Sequence, residues 1–184
     1  MNAPIEPKIE EVLHFWFEET EPRQRFTKDE VFDETIKTCF LWLHSEIVAW
    51  KHDDWDKSPR WLLAKIIVLD QFSRNMFRWD KKSFAYDDMA LGLAQKAIES
   101  WADQELPYEY RSFMYMPYMH SESKQVHEKA FEIFQNYGNE VNLEYEIKHK
   151  EIIDRFGRYP HRNKVLGRES TAEELEFLKT HSWF

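Results

Sequence analysis

The sequence predicts an all-helical fold in a single compact domain spanning residues 1–184. Two observations carry that expectation. Apolar residues recur at three- and four-residue spacing in every long segment, and only four glycines occur, too few for a fold built on tight hairpins. With 42% apolar and 16% aromatic residues, the chain has enough core material to fold unaided and is not composed like a disordered one.

The elements follow in chain order. Ile9, Val12, Leu13, Phe15, Trp16 and Phe17 cover more than one helical face, so Ile9 to Phe17 reads as a short buried helix with Pro7 in its first turn. From Lys28 to Trp50, residues Val31, Phe32, Ile36, Cys39, Phe40, Leu43, Ile47 and Trp50 form an amphipathic stripe, with Cys39 at a core position and Thr27 and Glu30 as a capping box. Ser58 and Pro59 supply an N-cap and a first-turn proline for a third helix reaching Asn75. Ala85 to Trp101 is a fourth, rich in alanine and leucine. Pro107 opens a fifth, which Pro117 should kink or end near Met116. Ser123 to Tyr137 is a sixth, stopped at Gly138 in the usual C-terminal position, and Asn142 to Phe156 a seventh. Thr171 with Glu174 caps a last helix through His181. Short links between successive helices favour antiparallel neighbours, hence an array of helical hairpins.

Composition narrows the partners. A net charge of −9 repels nucleic acid and anionic membrane. One cysteine excludes a disulfide framework and any multi-cysteine zinc site. Met1 to Pro7 shows no basic stretch followed by an apolar run, so it is not read as a secretory signal, and Trp61 to Leu69, the most apolar stretch, is too short to span a bilayer. A reduced, cytoplasmic setting is expected. There is no glycine-rich phosphate loop, no His-Glu-x-x-His and no Gly-x-Ser-x-Gly, and the eight histidines lack ligand-like spacing. No metal or cofactor is expected.

Three polar blocks break the amphipathic pattern. The third helix is apolar nearly all round, with Lys65 as its solvent-facing residue, and then turns into Asp70-Gln71-Phe72-Ser73-Arg74-Asn75-Met76-Phe77-Arg78. Positions 63, 67, 70, 74 and 78 share one side, so Asp70, Arg74 and Arg78 must be paired or face a ligand. An Asp70–Arg74 pair closing the helix and a pocket wall are the two alternatives. The second block runs from Arg155 to Arg168 without an acidic residue, and Gly157, Pro160 and Gly167 shape it as a loop. Its Arg155, Arg158, Arg162 and Arg168 suit a carboxylate or phosphate, or else neutralise nearby acidic helices and tie down carbonyls at helix ends. The third is Met116-Pro117-Tyr118-Met119-His120-Ser121-Glu122, where His120 can act as acid or base with Glu122 orienting it, or Ser121 or Ser123 caps the next helix. A lone helical histidine such as His149 reads as structural, and the tryptophans read as packing residues.

The run Leu69 to Arg78, the run Tyr118 to Glu122, and the stretch from His149 through Arg155-Phe156-Gly157-Arg158-Tyr159-Pro160-His161-Arg162-Asn163 to Thr171 together resemble the bacterial domain-of-unknown-function family numbered 924. The likeness extends from Val12-Leu13-His14-Phe15-Trp16-Phe17 to Glu173-Glu174-Leu175. It implies a tetratricopeptide-like, superhelical all-helical fold, to which Ala90, Ala94 and Ala97 add a local hint, although no repeat of constant period is visible. It implies no activity and no catalytic residues. Ser73 stands where the family pattern leads one to expect proline.

Two functional readings remain. In the first, Arg74, Arg158 and Arg162 hold a small anionic molecule, His120 or His161 handles protons, Asp70 and Glu122 orient them, and Gln71, Asn75 and Asn163 give hydrogen bonds, in a binding protein or an enzyme. In the second, a helical scaffold binds a peptide or protein on its concave face and the same cluster only locks helices together. Three polar blocks far apart in sequence favour the first.

Overall fold

A computed structural model describes residues 6–49 and 58–181, and among these residues it is helical with no strand. Trp50, expected to end the second helix, lies outside them. The chain divides into two compact units, one formed by residues up to 78 with 82–117, the other by 79–81 and 118 onward.

In the first unit, α1 (Glu6–His14) widens into a π-helical turn, Phe15–Glu19. Arg25 closes that end by donating from Nε to the Trp16 carbonyl at 2.9 Å and from Nη2 to the Thr20 carbonyl at 3.0 Å, supplying donors to carbonyls the helix leaves bare. α2 (Glu30–Val48) begins two residues later than the spacing predicts. Asp29 caps it, accepting from the Val31 and Phe32 amides, while the Thr27 hydroxyl turns back to the Arg23 carbonyl. Its buried stripe is Phe32, Ile36, Phe40, Leu43 and Ile47, and Cys39 falls outside it, exposed and not in the core.

Pro59 opens α3 (Pro59–Ile66) as expected, although the Ser58 hydroxyl does not cap it. A second π-helical turn, Ile67–Phe72, then joins α3 to α4 (Ser73–Met76). Every residue from Leu62 to Ser73 is buried, Lys65 included, so the expected solvent face does not exist. Phe72 meets Trp16 edge to face at 5.5 Å, and Trp16 meets Phe113 likewise at 5.6 Å. α5 (Asp87–Glu99) packs on α3 and buries Ala90, Ala94 and Ala97. It stops short of Trp101, which has a left-handed backbone at φ 61°. Trp42, Trp79 and Trp101 are all exposed, so packing accounts for Trp16 but not for these three. α6 (Tyr108–Met119) runs through Pro117 and ends three residues beyond Met116.

The second unit is built on a helical hairpin, α7 (Lys124–Tyr137) and α8 (Glu140–Phe156). Lys124, at the start of α7, donates to the Asp154 carbonyl near the end of α8, so the two helices run antiparallel. Gly138 between them is not left-handed. It is required for space, because a Cβ there would lie 2.4 Å from the Phe134 carbonyl oxygen. Gly157, at φ 69°, ends α8 as a left-handed glycine should. The following segment is not a plain loop. A 3-10 turn (Pro160–Arg162) and α9 (Asn163–Leu166) precede left-handed Gly167, and the Thr171–Glu174 capping box then starts α10 (Ala172–Leu178). Ile152, Ile153 and Tyr159 form a small core with Phe156 and Phe177.

Candidate functional site

A helix that ends without caps leaves its last carbonyls unpaired. At the end of α6 the carbonyls of Met119, His120 and Ser121 each receive a side-chain donor. The Tyr159 hydroxyl donates to Met119, Arg162 Nη2 to His120 at 3.0 Å, and His127 Nε2 to Ser121 at 2.8 Å. A carbonyl only accepts, so His127 carries a hydrogen on Nε2. Its Nδ1 lies 2.8 Å from Glu146 Oε1. Both side chains are wholly buried, and Glu146 Oε2 has no hydrogen-bond partner. Burial pushes the Glu146 carboxyl above its ordinary range, against the opposite pull of His127 and Lys150.

Tyr159 is the centre of this arrangement. Its ring is buried, the Arg162 guanidinium lies over it at 4.6 Å, and the rings of His161, His149 and His127 stand 5.5, 5.7 and 6.2 Å away. His120, His149 and His161 are partly exposed, whereas His127, Tyr159 and Arg162 are buried. His149 is lowered to about 3, first by burial and then by the positive field of His120, His127 and Arg162, against a hydrogen bond to the Tyr145 carbonyl.

The remaining arginines of the block meet carboxylates. Arg168 clamps Glu122 at 2.6 and 2.9 Å, and the Tyr159 amide donates to the same carboxylate at 2.7 Å. Burial opposes ionisation of Glu122, but Arg168, this amide and Arg162 outweigh it and hold the carboxyl below its ordinary range. Arg168 Nε also donates to Asn163 at 2.9 Å, and Asn163 to Ser170 at 3.0 Å. Arg155 meets Glu173 at 2.7 Å, and Arg158 clamps Glu174 at 2.6 and 2.9 Å. The acidic partners that the run lacks internally thus come from the first turn of α10 and from Glu122.

Arg158 first, then the Thr171 amide and Asn163, hold Glu174 at about 2, against the opposing effect of burial. A carboxyl held below its ordinary 4.5 stabilises the fold above that value and loses the contribution as pH falls toward 2. Acid titration of unfolding stability should therefore decline between those limits. Arg158→Gln should flatten that part of the profile, and an unchanged profile would exclude the clamp as its source.

The first unit holds the other block. Asp70, wholly buried, pairs with Arg74 at 3.0 Å, and Arg74 also clamps Asp87 at 2.9 and 3.0 Å. Gln71 donates to Asp70 and approaches the Met116 sulfur at 3.5 Å. Arg78 does not join this pair. It meets Asp33 of α2, with Nη2 at 2.7 Å, and Asn75 donates to the same carboxylate at 2.8 Å. Ser73 Oγ sits 2.9 Å from His44 Nε2, a partner that the expected proline would not provide. Burial lowers His44 to about 4, and both side chains are shut away from solvent, which favours a core polar pair over a nucleophile. Among the described residues, no three His, Cys, Asp or Glu side chains are grouped so as to hold a metal ion.

From the sequence alone, His127, Glu146 and Tyr159 are given no role and His149 is taken as structural. A signal was present: His127 shares a helical face with Ala130 and Phe134, and Glu146 one with Ile153, so each is a polar residue on an apolar stripe.

The family described as "Bacterial protein of unknown function (DUF924)" matches residues 12–182. A solved protein of unknown function from Agrobacterium tumefaciens is similar at 32% identity with a TM-score of 0.90, over 96% of this chain and 99% of that one. No curated protein matches.

Proposed function

The chain belongs to the DUF924 family of bacterial proteins of unknown function, and for it we propose a site on the second unit that binds a small oxyanion, a carboxylate or phosphate group, beside Tyr159. The observation that carries the reading is the gathering of His149, His161 and Arg162 around one buried tyrosine ring, the two imidazoles partly exposed. The two nearby carboxylates are already engaged, Glu122 by Arg168 and Glu146 by His127. Arg162 and His161 would then hold the anion, with His120 as a proton donor or acceptor. Arg158, Arg168 and Asn163 would brace the segment carrying them. The Asp70–Arg78 block closes on carboxylates of its own unit and takes no part in this site. We further read the α7–α8 hairpin as a tetratricopeptide-like element. No helix of the described residues is long and apolar enough to cross a membrane.

Titration with inorganic phosphate and malonate, followed through the imidazole carbon–proton signals, tests the site. Saturable shifts are expected for His149 and His161, and His161→Gln should weaken them about tenfold, as loss of one charge-assisted hydrogen bond would. If neither anion shifts these signals, the reading falls and the cluster serves only to cap α6.

A further inference from the structure

His149 has a fixed tautomer. Its Nδ1 lies 2.8 Å from the Tyr145 carbonyl oxygen, which can only accept, so Nδ1 bears the hydrogen and Nε2 is the basic atom of the ring. The ring is placed by its edge contact with Tyr159 at 5.7 Å, the residue beneath the Arg162 guanidinium. Charged groups of several elements act on it. His127 projects from α7, His120 from the end of α6, Arg162 from the 3-10 turn, and Glu146 precedes it on α8 and is committed to His127. All three neighbouring bases oppose a positive charge on His149.

We propose that His149 is the proton acceptor of the oxyanion site, taking a proton on Nε2 when an anion binds beside Arg162. This inference rests on the binding reading above. Burial comes first in keeping His149 neutral and the positive field of His120, His127 and Arg162 adds to it; an anion in their midst offsets that field, so binding and protonation are linked and each favours the other. The ligand class follows: an oxyanion that accepts the new Nε2 hydrogen as well as those of the guanidinium. The proton comes from solvent, and apart from the new Nε2–H bond no covalent bond of the protein or the anion is made or broken.

Sulfate does not titrate in mild acid, so any proton uptake on adding it belongs to the protein. Calorimetry of the full chain with sulfate at about pH 4, in two buffers of different ionisation heat, should show a net uptake of about 0.4 proton or more per anion bound. In phosphate-free solution the His149 signal should stay that of a neutral ring down to pH about 4, and saturating sulfate should raise its midpoint by at least about one pH unit. His149→Gln keeps an amide donor for the Tyr145 carbonyl. It should still bind sulfate through Arg162 and His161, with uptake abolished and the helical signal unchanged, and His149→Asn serves as a second variant if that protein fails to fold. Sulfate binding without uptake, or uptake that survives both substitutions, overturns this inference and leaves the binding site standing. No binding of sulfate, phosphate or malonate overturns both.

Discussion

Replacing His127 with alanine should destabilise the protein by about 3–5 kcal/mol in urea unfolding, because it strands a buried carboxyl without its hydrogen-bond partner. Both His127 and Glu146 are wholly buried, and Glu146 Oε2 already lacks a hydrogen-bond partner. Removal of the imidazole leaves Oε1 without its partner too, and leaves the Ser121 carbonyl at the end of α6 as a second unpaired group. Replacing both members by leucine removes donor and acceptor together, so the double variant should lose much less than the sum of the single losses. A cost under about 1 kcal/mol for His127→Ala would mean that water reaches Glu146 and that the pair is not a buried one.

The helical fold was legible because it rests on local chemistry. Pro59, Thr171 with Glu174, and Gly157 act within a few residues of their own position, and each does in the structure what its type dictates. The misreadings arose where distance in sequence hides the partner. Lys65 is charged and yet buried, which a spacing argument cannot see. The π-helical turn at Ile67–Phe72 alters the helical repeat and α4 ends at Met76, so extrapolation of one face through position 78 puts Arg78 on the side of Asp70 and Arg74 but cannot name its partner, Asp33 of α2. The arginine run was recognisable as unusual. Its pairing with Glu173, Glu174 and Glu122 depends on how α10 and the end of α6 return to it, and periodicity carries no such information.

Arg74→Ala should cost about 3 kcal/mol, somewhat less than the His127 variant, since the guanidinium is partly exposed while the carboxylate it serves is wholly buried. Its Nη1 reaches Asp70 Oδ1 at 3.0 Å and the Asp70 carbonyl at 2.9 Å, and both terminal nitrogens bind Asp87. Truncation therefore leaves two carboxylates near one another with the positive charge between them gone. Gln71 still donates to Asp70, which limits the loss but supplies no charge. Asp87 retains some solvent, so Asp87→Asn should cost far less than Asp70→Ala, and Arg74→Lys should recover only part of the stability because an ammonium cannot make the planar two-point contact. Equal, small losses for all of these variants would place the pair in solvent. A large loss confined to the Asp70 and Arg74 substitutions would establish this block as a structural lock of the first unit.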